Sequence, residues 1–219
     1  MKIDTSTVAI LKNFAKINPS ILIQEGNVIK TISTSKTIMA KAKLSQNFDH
    51  KFAVYNLDRF ISSLSLFNEP DLVFKDKFVT ITDGDKKINY TYADESTIIK
   101  APDKEISLPS VDVEFTLTHE VFKDVEKGLS VLGLPEIVIV GDGAKIFIQA
   151  SDSKNPSGDV YSVMIGETDK NFRAIFKSEN IKVLPGDYQV SISAAGISLF
   201  KSEVAEYFIA VESTSTFGA

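Results

Sequence analysis

His50 and His119 are the only histidines in the chain, and no cysteine accompanies them. They stand far apart in sequence, outside any spacing that gathers metal ligands or sets a nucleophile beside a base. The lack of cysteine excludes disulfides, thiolate metal sites and thiol chemistry. Residues 138–145, VIVGDGAK, hold the glycines of a phosphate-cradling turn, but such a turn must open a helix whose N-terminus holds the anion. The residues after the glycines, KIFIQA, have the pattern of a strand, so GDG reads as a hairpin turn. The DGD at 83–85 lacks the remaining oxygen ligands at calcium-loop spacing. Asp94 and Glu95 read as solvated loop charges rather than as an acid/base couple. Nothing in the sequence supports catalysis, and no metal or cofactor is expected.

What remains is a chemistry of cations. Residues 7–18, TVAILKNFAKIN, carry apolar residues at helical spacing, with Phe14 near the centre of a stripe of Thr7, Ile10, Leu11 and Ile17. Lys12 and Lys16 fall on the opposite side. HEVFKDVEKGLSVL at 119–132 repeats the arrangement, with Val121, Phe122, Val125, Leu129 and Leu132 inward and Lys123 and Lys127 outward. Glu120, Asp124 and Glu126 flank that second ridge. A helix at about 57–67 turns Leu57, Phe60, Ile61 and Leu64 inward and Arg59 outward, and a short helical piece near 178–184 carries Lys177 at its start and Lys182 opposite Leu184. Lysines on exposed helix faces ordinarily serve only solubility. Here the pair recurs at matching helices of both halves of a chain whose net charge is −5, with 29 acidic residues against 24 basic. Arg59 and Arg173 are the only arginines, so contact with nucleic acid would go through phosphates without base readout.

The elements that carry these residues are mostly strands. A chain of 219 residues suits one large domain or two of about 110. Hairpin patterns occur at 20–33, around a Gly-Asn turn, and at 136–150; three-strand meanders occur at 71–93 and 186–212. The order helix, hairpin, further strand, strand, second helix, meander occurs twice. FAVYNLDRFISSL (52–64) overlays FRAIFKSENIKVL (172–184), matching Phe52 with Phe172, Ile61 with Ile181 and Leu64 with Leu184. The expectation is an α+β chain of two similar domains, 1–92 and 111–219, joined by a proline-containing connector at 93–110. No run approaches the ~20 apolar residues of a membrane helix, and the start lacks a signal-peptide pattern. The NYT at Asn89–Thr91 therefore carries no weight as a glycosylation sequon, and a soluble intracellular protein is expected.

Several longer strings resemble one family. ILKNFAKINPSILIQEGNVI (10–29), FAVYNLDRFISSLSLFN (52–68), STIIKAPDKEISLP (96–109), VLPGDYQV (183–190) and AEYFIAVES (205–213) are similar to the DNA polymerase sliding clamp of tailed bacteriophages over nearly the whole chain. The resemblance implies a DNA-clamp fold in a head-to-tail homotrimer, with antiparallel sheets outside and helices lining the hole of a ring. It implies that Lys12, Lys16, Arg59, Lys123, Lys127, Lys177 and Lys182 face double-stranded DNA. It further implies an ATP-driven clamp loader, and a replicative DNA polymerase docked by a C-terminal peptide near the connector, where Ile98, Ile99, Ile106 and Leu108 are candidates. Those four serve equally as anchors of the connector to the core. The family's architecture implies subunit contacts between 87–93, with Ile88, Tyr90 and Tyr92, and 158–167, with Tyr161, Val163 and Ile165, where ring closure would cover an exposed strand edge. The implied setting is the cytoplasm of an infected bacterial host cell. The competing expectation is a β-rich oligomeric structural or assembly protein of a virus particle, which needs no aligned basic ridges.

Overall fold

A computed structural model describes residues 1–218. Helix α1 (Thr5–Ile17) forms where the apolar period predicts it and buries Thr7, Ile10, Leu11, Phe14 and Ile17, joined by Asn13 and Ala15. Asp4 caps it. Its Oδ1 accepts bonds from the Thr7 N–H and the Ser6 hydroxyl, both at 2.6 Å, and its Oδ2 accepts from the Ser45 hydroxyl at 2.6 Å. Burial opposes ionisation of this carboxyl, but the Ser45, Ser6 and Thr7 bonds outweigh it and hold the pKa at about 2. The folded value lies below the ordinary 3.8. The ionised cap therefore contributes fully above that ordinary value, and its contribution is lost as pH falls through about 2. Asp4→Asn is expected to keep the cap but flatten this acid limb, whereas Asp4→Ala costs about 1 kcal/mol at neutral pH. Urea midpoints measured from neutral pH down to pH 2 check both.

The first part of the chain continues through β1 (Ile21–Ile23), β2 (Gly26–Ile32), β3 (Ile38–Phe48), β4 (Phe52–Val54), α2 (Leu57–Leu64), β5 (Asp71–Phe74), β6 (Phe78–Asp83) and β7 (Lys86–Thr91). The hairpin expected at 20–33 is not made. Instead β1 lies antiparallel to β4, with Ile21 opposite Val54, and β2 pairs with β3, with Ile29 opposite Ala42. The chain does bend at the expected Gly-Asn position, where Gly26 has a φ of 104° that suits glycine, but the bend leads β2 along β3 rather than back along β1. Helix α2 stops at Leu64 rather than 67. Beyond it the amides of Ser65, Leu66 and Phe67 bond three residues back, to Ser62, Ser63 and Leu64, a tighter winding than an α-helix. An aromatic cluster fills this core, with Phe52 5.2 Å from both Phe74 and Tyr92, and Phe60 5.1 Å from Tyr90.

The second part comprises β8 (Val113–Leu117), α3 (His119–Leu132), β9 (Glu136–Asp142), β10 (Lys145–Ser151), β11 (Tyr161–Glu167), β12 (Asn171–Lys177), β13 (Tyr188–Ser193), β14 (Ile197–Lys201), β15 (Ala205–Ala210) and β16 (Thr216–Phe217). The chain divides into two units, the first ending at Lys104 and the next beginning at Glu105. Their pairings correspond. Strands β10–β11 and β9–β12 repeat β2–β3 and β1–β4. The meander β13–β14–β15 is flanked by β8, as β5–β6–β7 is flanked by Met1, which exchanges backbone bonds of 2.8 Å with Leu72 in both directions. With antiparallel sheets and three α-helices, the chain is an α+β protein of two similar units.

The helix expected at 178–184 is also absent. Only Ser178–Asn180 winds, as a single 3-10 turn without a side-chain cap. The backbone polar groups that a helix would use are taken by tyrosines: Leu184 N–H donates to the Tyr207 hydroxyl at 3.2 Å, and the Tyr188 hydroxyl donates to Leu184 O at 2.7 Å. Burial pushes the Tyr188 phenol up to about 12 and raises Tyr207 further, so both act as neutral hydrogen-bonding groups. Among the described residues no helix is long and apolar enough to cross a membrane.

Candidate nucleic-acid interface

In the first unit the exposed ridge of α1 runs Thr5, Ala9, Lys12, Lys16, the four lying on one line at steps of four, three and four residues. No acidic residue occurs within the helix, and the ridge ends in two lysines. Lys16 also sits in the last turn, where a cation offsets the helix dipole. Arg59 is exposed on α2, one residue after Asp58, and its backbone N–H donates to the capping Asn56 Oδ1 at 2.8 Å. In the second unit Lys123 and Lys127 are exposed on α3 among Glu120, Asp124 and Glu126, which makes this face mixed in charge. Lys177 is exposed but stands at the end of β12, 3.9 Å from the Glu212 carboxylate. Lys182 is half-buried in the non-helical segment rather than on a helix ridge. The structure thus arrays Lys12, Lys16, Arg59, Lys123 and Lys127 on solvent-facing helix surfaces and leaves Lys177 and Lys182 elsewhere.

The buried stripe of α3 differs from its helical-wheel expectation. Phe122, Val125 and Gly128 are buried, Val121 and Leu129 are half-buried, and Leu132 is 40 % exposed. The cause is Tyr161 on β11, whose ring lies over Gly128; a Cβ there would stand 2.7 Å from Tyr161 Cδ1. The helix then ends at Gly133, left-handed at φ 64°, before Leu132 can turn inward. Gly128→Ala is expected to cost about 1–3 kcal/mol by displacing that ring. Chemical denaturation together with near-ultraviolet circular dichroism of the tyrosines checks it.

Among the described residues strands β7 and β11 each have a single hydrogen-bonded neighbour strand, β6 and β10, so each stands at the edge of its sheet. Ile88 and Tyr90 are half-buried on β7, as is Tyr92 just beyond its end, and the Tyr90 hydroxyl donates to Asn56 O at 3.1 Å. Tyr161, Val163 and Ile165 are likewise half-buried on β11, whereas Met164 and the adjoining Val160 are 54 % and 53 % exposed. Those last two escaped the sequence reading, though Met164 alternates with Val163 and Ile165. In the connector, Ile98 is buried, Ile99 is 43 % exposed with its carbonyl bonded by Asn18 Nδ2 at 3.1 Å, and Ile106 and Leu108 are half-buried.

The motifs set aside as structural have structural roles. Asp83 accepts from the Asn68 N–H at 2.9 Å beside the β6–β7 turn, where Gly84 has φ 58°. Asp142 Oδ1 accepts from the amides of Ala144 and Lys145 at 2.9 and 2.7 Å, closing the β9–β10 turn. His50 stacks on Phe74 at 5.7 Å, and the His119 N–H donates to Asp187 Oδ1 at 2.7 Å as α3 begins. Among the described residues no group of three or more His, Asp or Glu could hold a metal ion.

Two family models divide the chain as its units do. The model for DNA polymerase processivity factor matches residues 2–100, and that for the gp45 sliding clamp, C terminal, matches 114–213. The chain belongs to the sliding-clamp family. It is 36 % identical over 219 residues to the sliding clamp of Vibrio phage KVP40, covering 97 % of this chain and 99 % of that one. It is 32 % identical to the sliding clamp of Escherichia phage RB69, covering 99 % of both chains. In fold the clamp is similar to proliferating cellular nuclear antigen from Entamoeba histolytica, at TM-score 0.69 and 16 % identity over 94 % of both chains. It is also similar to the A. fulgidus homologue solved with the C-terminal region of FEN-1, at TM-score 0.70 and 13 % identity over 95 % of this chain and 96 % of that one. At such identities the likeness concerns the fold, the DNA-clamp fold. The β-rich virion-protein expectation finds no support among these relatives.

Proposed function

We propose that three copies of this chain close head to tail into a ring that encircles duplex DNA without choice of sequence and tethers the replicative polymerase. The observation that carries this reading is the acid-free lysine ridge of α1 in a chain of net charge −5. Lysines act there as mobile point charges on phosphates, and since retention is topological the individual contacts stay weak enough for sliding. Lys123, Lys127 and Arg59 extend the inner surface, with Lys177 and Lys182 at its margins. The free edges of β7 and β11 support closure, because an antiparallel backbone ladder between neighbouring copies satisfies both. Val160 and Met164 add apolar area to that contact, around Ile88, Tyr90, Tyr92, Tyr161, Val163 and Ile165. The domain limits 1–92 and 111–219, with a connector at 93–110, fit this arrangement.

An ATP-driven loader opens the ring on primed DNA, and the polymerase peptide docks beside the connector at Ile99, Ile106 and Leu108, with Ile98 anchoring the segment from below. The clamp itself performs no catalysis and works in the cytoplasm of the infected host cell. Light scattering across a concentration series tests the assembly, with three times the 24.1 kDa chain mass expected. Loader-dependent retention on circular but not on linearised DNA tests encirclement. A stable mass of another multiple, or equal retention on both templates, overturns the reading.

A further inference from the structure

Helix α1 ends at a residue whose side chain reaches beyond the helix. Pro19 follows Asn18 and disfavours helical geometry there, so Asn18 is extended, at φ −144° and ψ 128°. Its backbone N–H still donates to Phe14 O at 2.9 Å, which seats it firmly on the helix end. The residue is 1 % exposed, and its amide is bonded at both ends. Oδ1 accepts from the Ser20 N–H at 2.9 Å and from the Ser20 hydroxyl at 3.1 Å. Nδ2 donates to Ile32 O at 2.9 Å and to Ile99 O at 3.1 Å. The two carbonyls can only accept and the Ser20 N–H can only donate, so the partners fix which end of the amide faces which.

The bond to Ile99 falls where the chain has little else to hold it. Residues 98–103 form no backbone–backbone hydrogen bond with any described residue. Their carbonyls accept from two side chains, Asn18 at Ile99 and Lys30 at Asp103, the second at 3.3 Å. The Lys30 ammonium ends a flexible stem and its bond is exposed, whereas Asn18 is buried. Just ahead, Glu95 pairs with Lys51 at 2.6 Å and with Lys100 at 3.3 Å, all three side chains being exposed to solvent. Ile98 is extended, at φ −117° and ψ 153°, which sends its side chain and that of Ile99 to opposite sides. Ile98 is buried and Ile99 is 43 % exposed. Asn18, Ile32 and Ile99 all belong to the first unit.

We propose that Asn18 is a positioning residue for polymerase docking: from the end of the helix that carries Lys12 and Lys16, it holds Ile99 in its outward setting. The inference rests on the reading that the polymerase peptide docks beside the connector at Ile99, Ile106 and Leu108. A connector already held in place spares the peptide the entropic cost of ordering a segment without a backbone ladder. Asn18→Asp keeps an acceptor for Ser20 but replaces the donor with an oxygen that repels both carbonyls. Asn18→Ser removes the amide donor without adding charge, so it serves if the buried carboxylate prevents folding. Ser20→Ala is the control, since it removes one bond to the same amide and leaves both Nδ2 bonds intact.

The probe is a synthetic peptide of the C-terminal residues of the cognate replicative polymerase, titrated onto the intact protein. Both Asn18 variants are expected to bind it about tenfold more weakly. Ser20→Ala binds like the parent although its urea midpoint falls. A nitroxide on Lys100→Cys, the sole cysteine of such a chain, is expected to gain mobility in the Asn18 variants and not in Ser20→Ala. Light scattering and circular dichroism confirm that the variants fold and assemble like the parent. Weaker binding by Ile99→Ala together with unchanged binding by the Asn18 variants overturns the inference alone. Equal weakening by Ser20→Ala and the Asn18 variants also overturns it, because Asn18 then acts only through stability. Unchanged binding by Ile99→Ala, Ile106→Ala and Leu108→Ala overturns the docking reading, and the inference with it.

Discussion

Lys12→Glu combined with Lys16→Glu is expected to abolish loader-dependent retention on circular DNA at physiological salt, with processive synthesis falling at least tenfold. Each lysine that touches a phosphate contributes a slope of about one in log affinity against log salt. Reversal also replaces each attraction with a repulsion, and in the proposed trimer the change is repeated in all three copies. The fold should tolerate it, because both side chains are exposed and neither is part of the buried face of α1. Lys16 does sit in the last helical turn, so its reversal removes a favourable dipole interaction of about 0.3–1 kcal/mol. That is small against a domain stability of about 5–15 kcal/mol. Lys12→Gln with Lys16→Gln separates the two effects: it retains most of the stability and loses part of the salt dependence. Undiminished polymerase stimulation by the double-Glu variant would show that the α1 ridge does not face DNA.

Phe14→Ala is the second large effect, and it acts on the fold that holds this ridge. Phe14 is fully buried at the centre of the α1 stripe, beside the equally buried Leu11. Truncating a buried phenylalanine costs about 3–5 kcal/mol through lost transfer energy and the cavity left behind. Helix α1 packs on α2 and β3, and both would lose contact through the same cavity. For a unit of this size the loss corresponds to a drop on the order of 15 °C in melting temperature. Urea denaturation monitored by far-ultraviolet circular dichroism measures it. A change below about 1 kcal/mol would mean that the site collapses around the deletion and that Phe14 is not the centre of this packing.

Much of this was legible in the residues because it is local. The bounds of α1 and α3, the buried stripe around Phe14, the β9–β10 hairpin and both meanders arise from short-range periodicity and turn residues. The recurrence of lysines on helix ridges and the duplicated order of elements needed only comparison along the chain. The errors share a different cause. Strand β1 chose β4 over its sequence neighbour β2, and Leu184 bonds Tyr207 and Tyr188 through its N–H and carbonyl instead of continuing a helix. Gly128 entered the α3 stripe only because Tyr161 arrives over it from β11.

The sequence by itself determined the chain's α+β character, its two related halves and the cationic side of its first helix. These depend on residue type and on spacings within one element, where backbone geometry dictates which side chains share a face. Only the tertiary structure decided which strand edges stay open, that Lys177 and Lys182 lie off the helix ridges, and that Arg173 and Ser151 line one cleft. Arg173 stands on β12 and Ser151 on β10, held two strands apart by the register of each with β9. Such register is set by long-range packing of one sheet face, which no local period encodes.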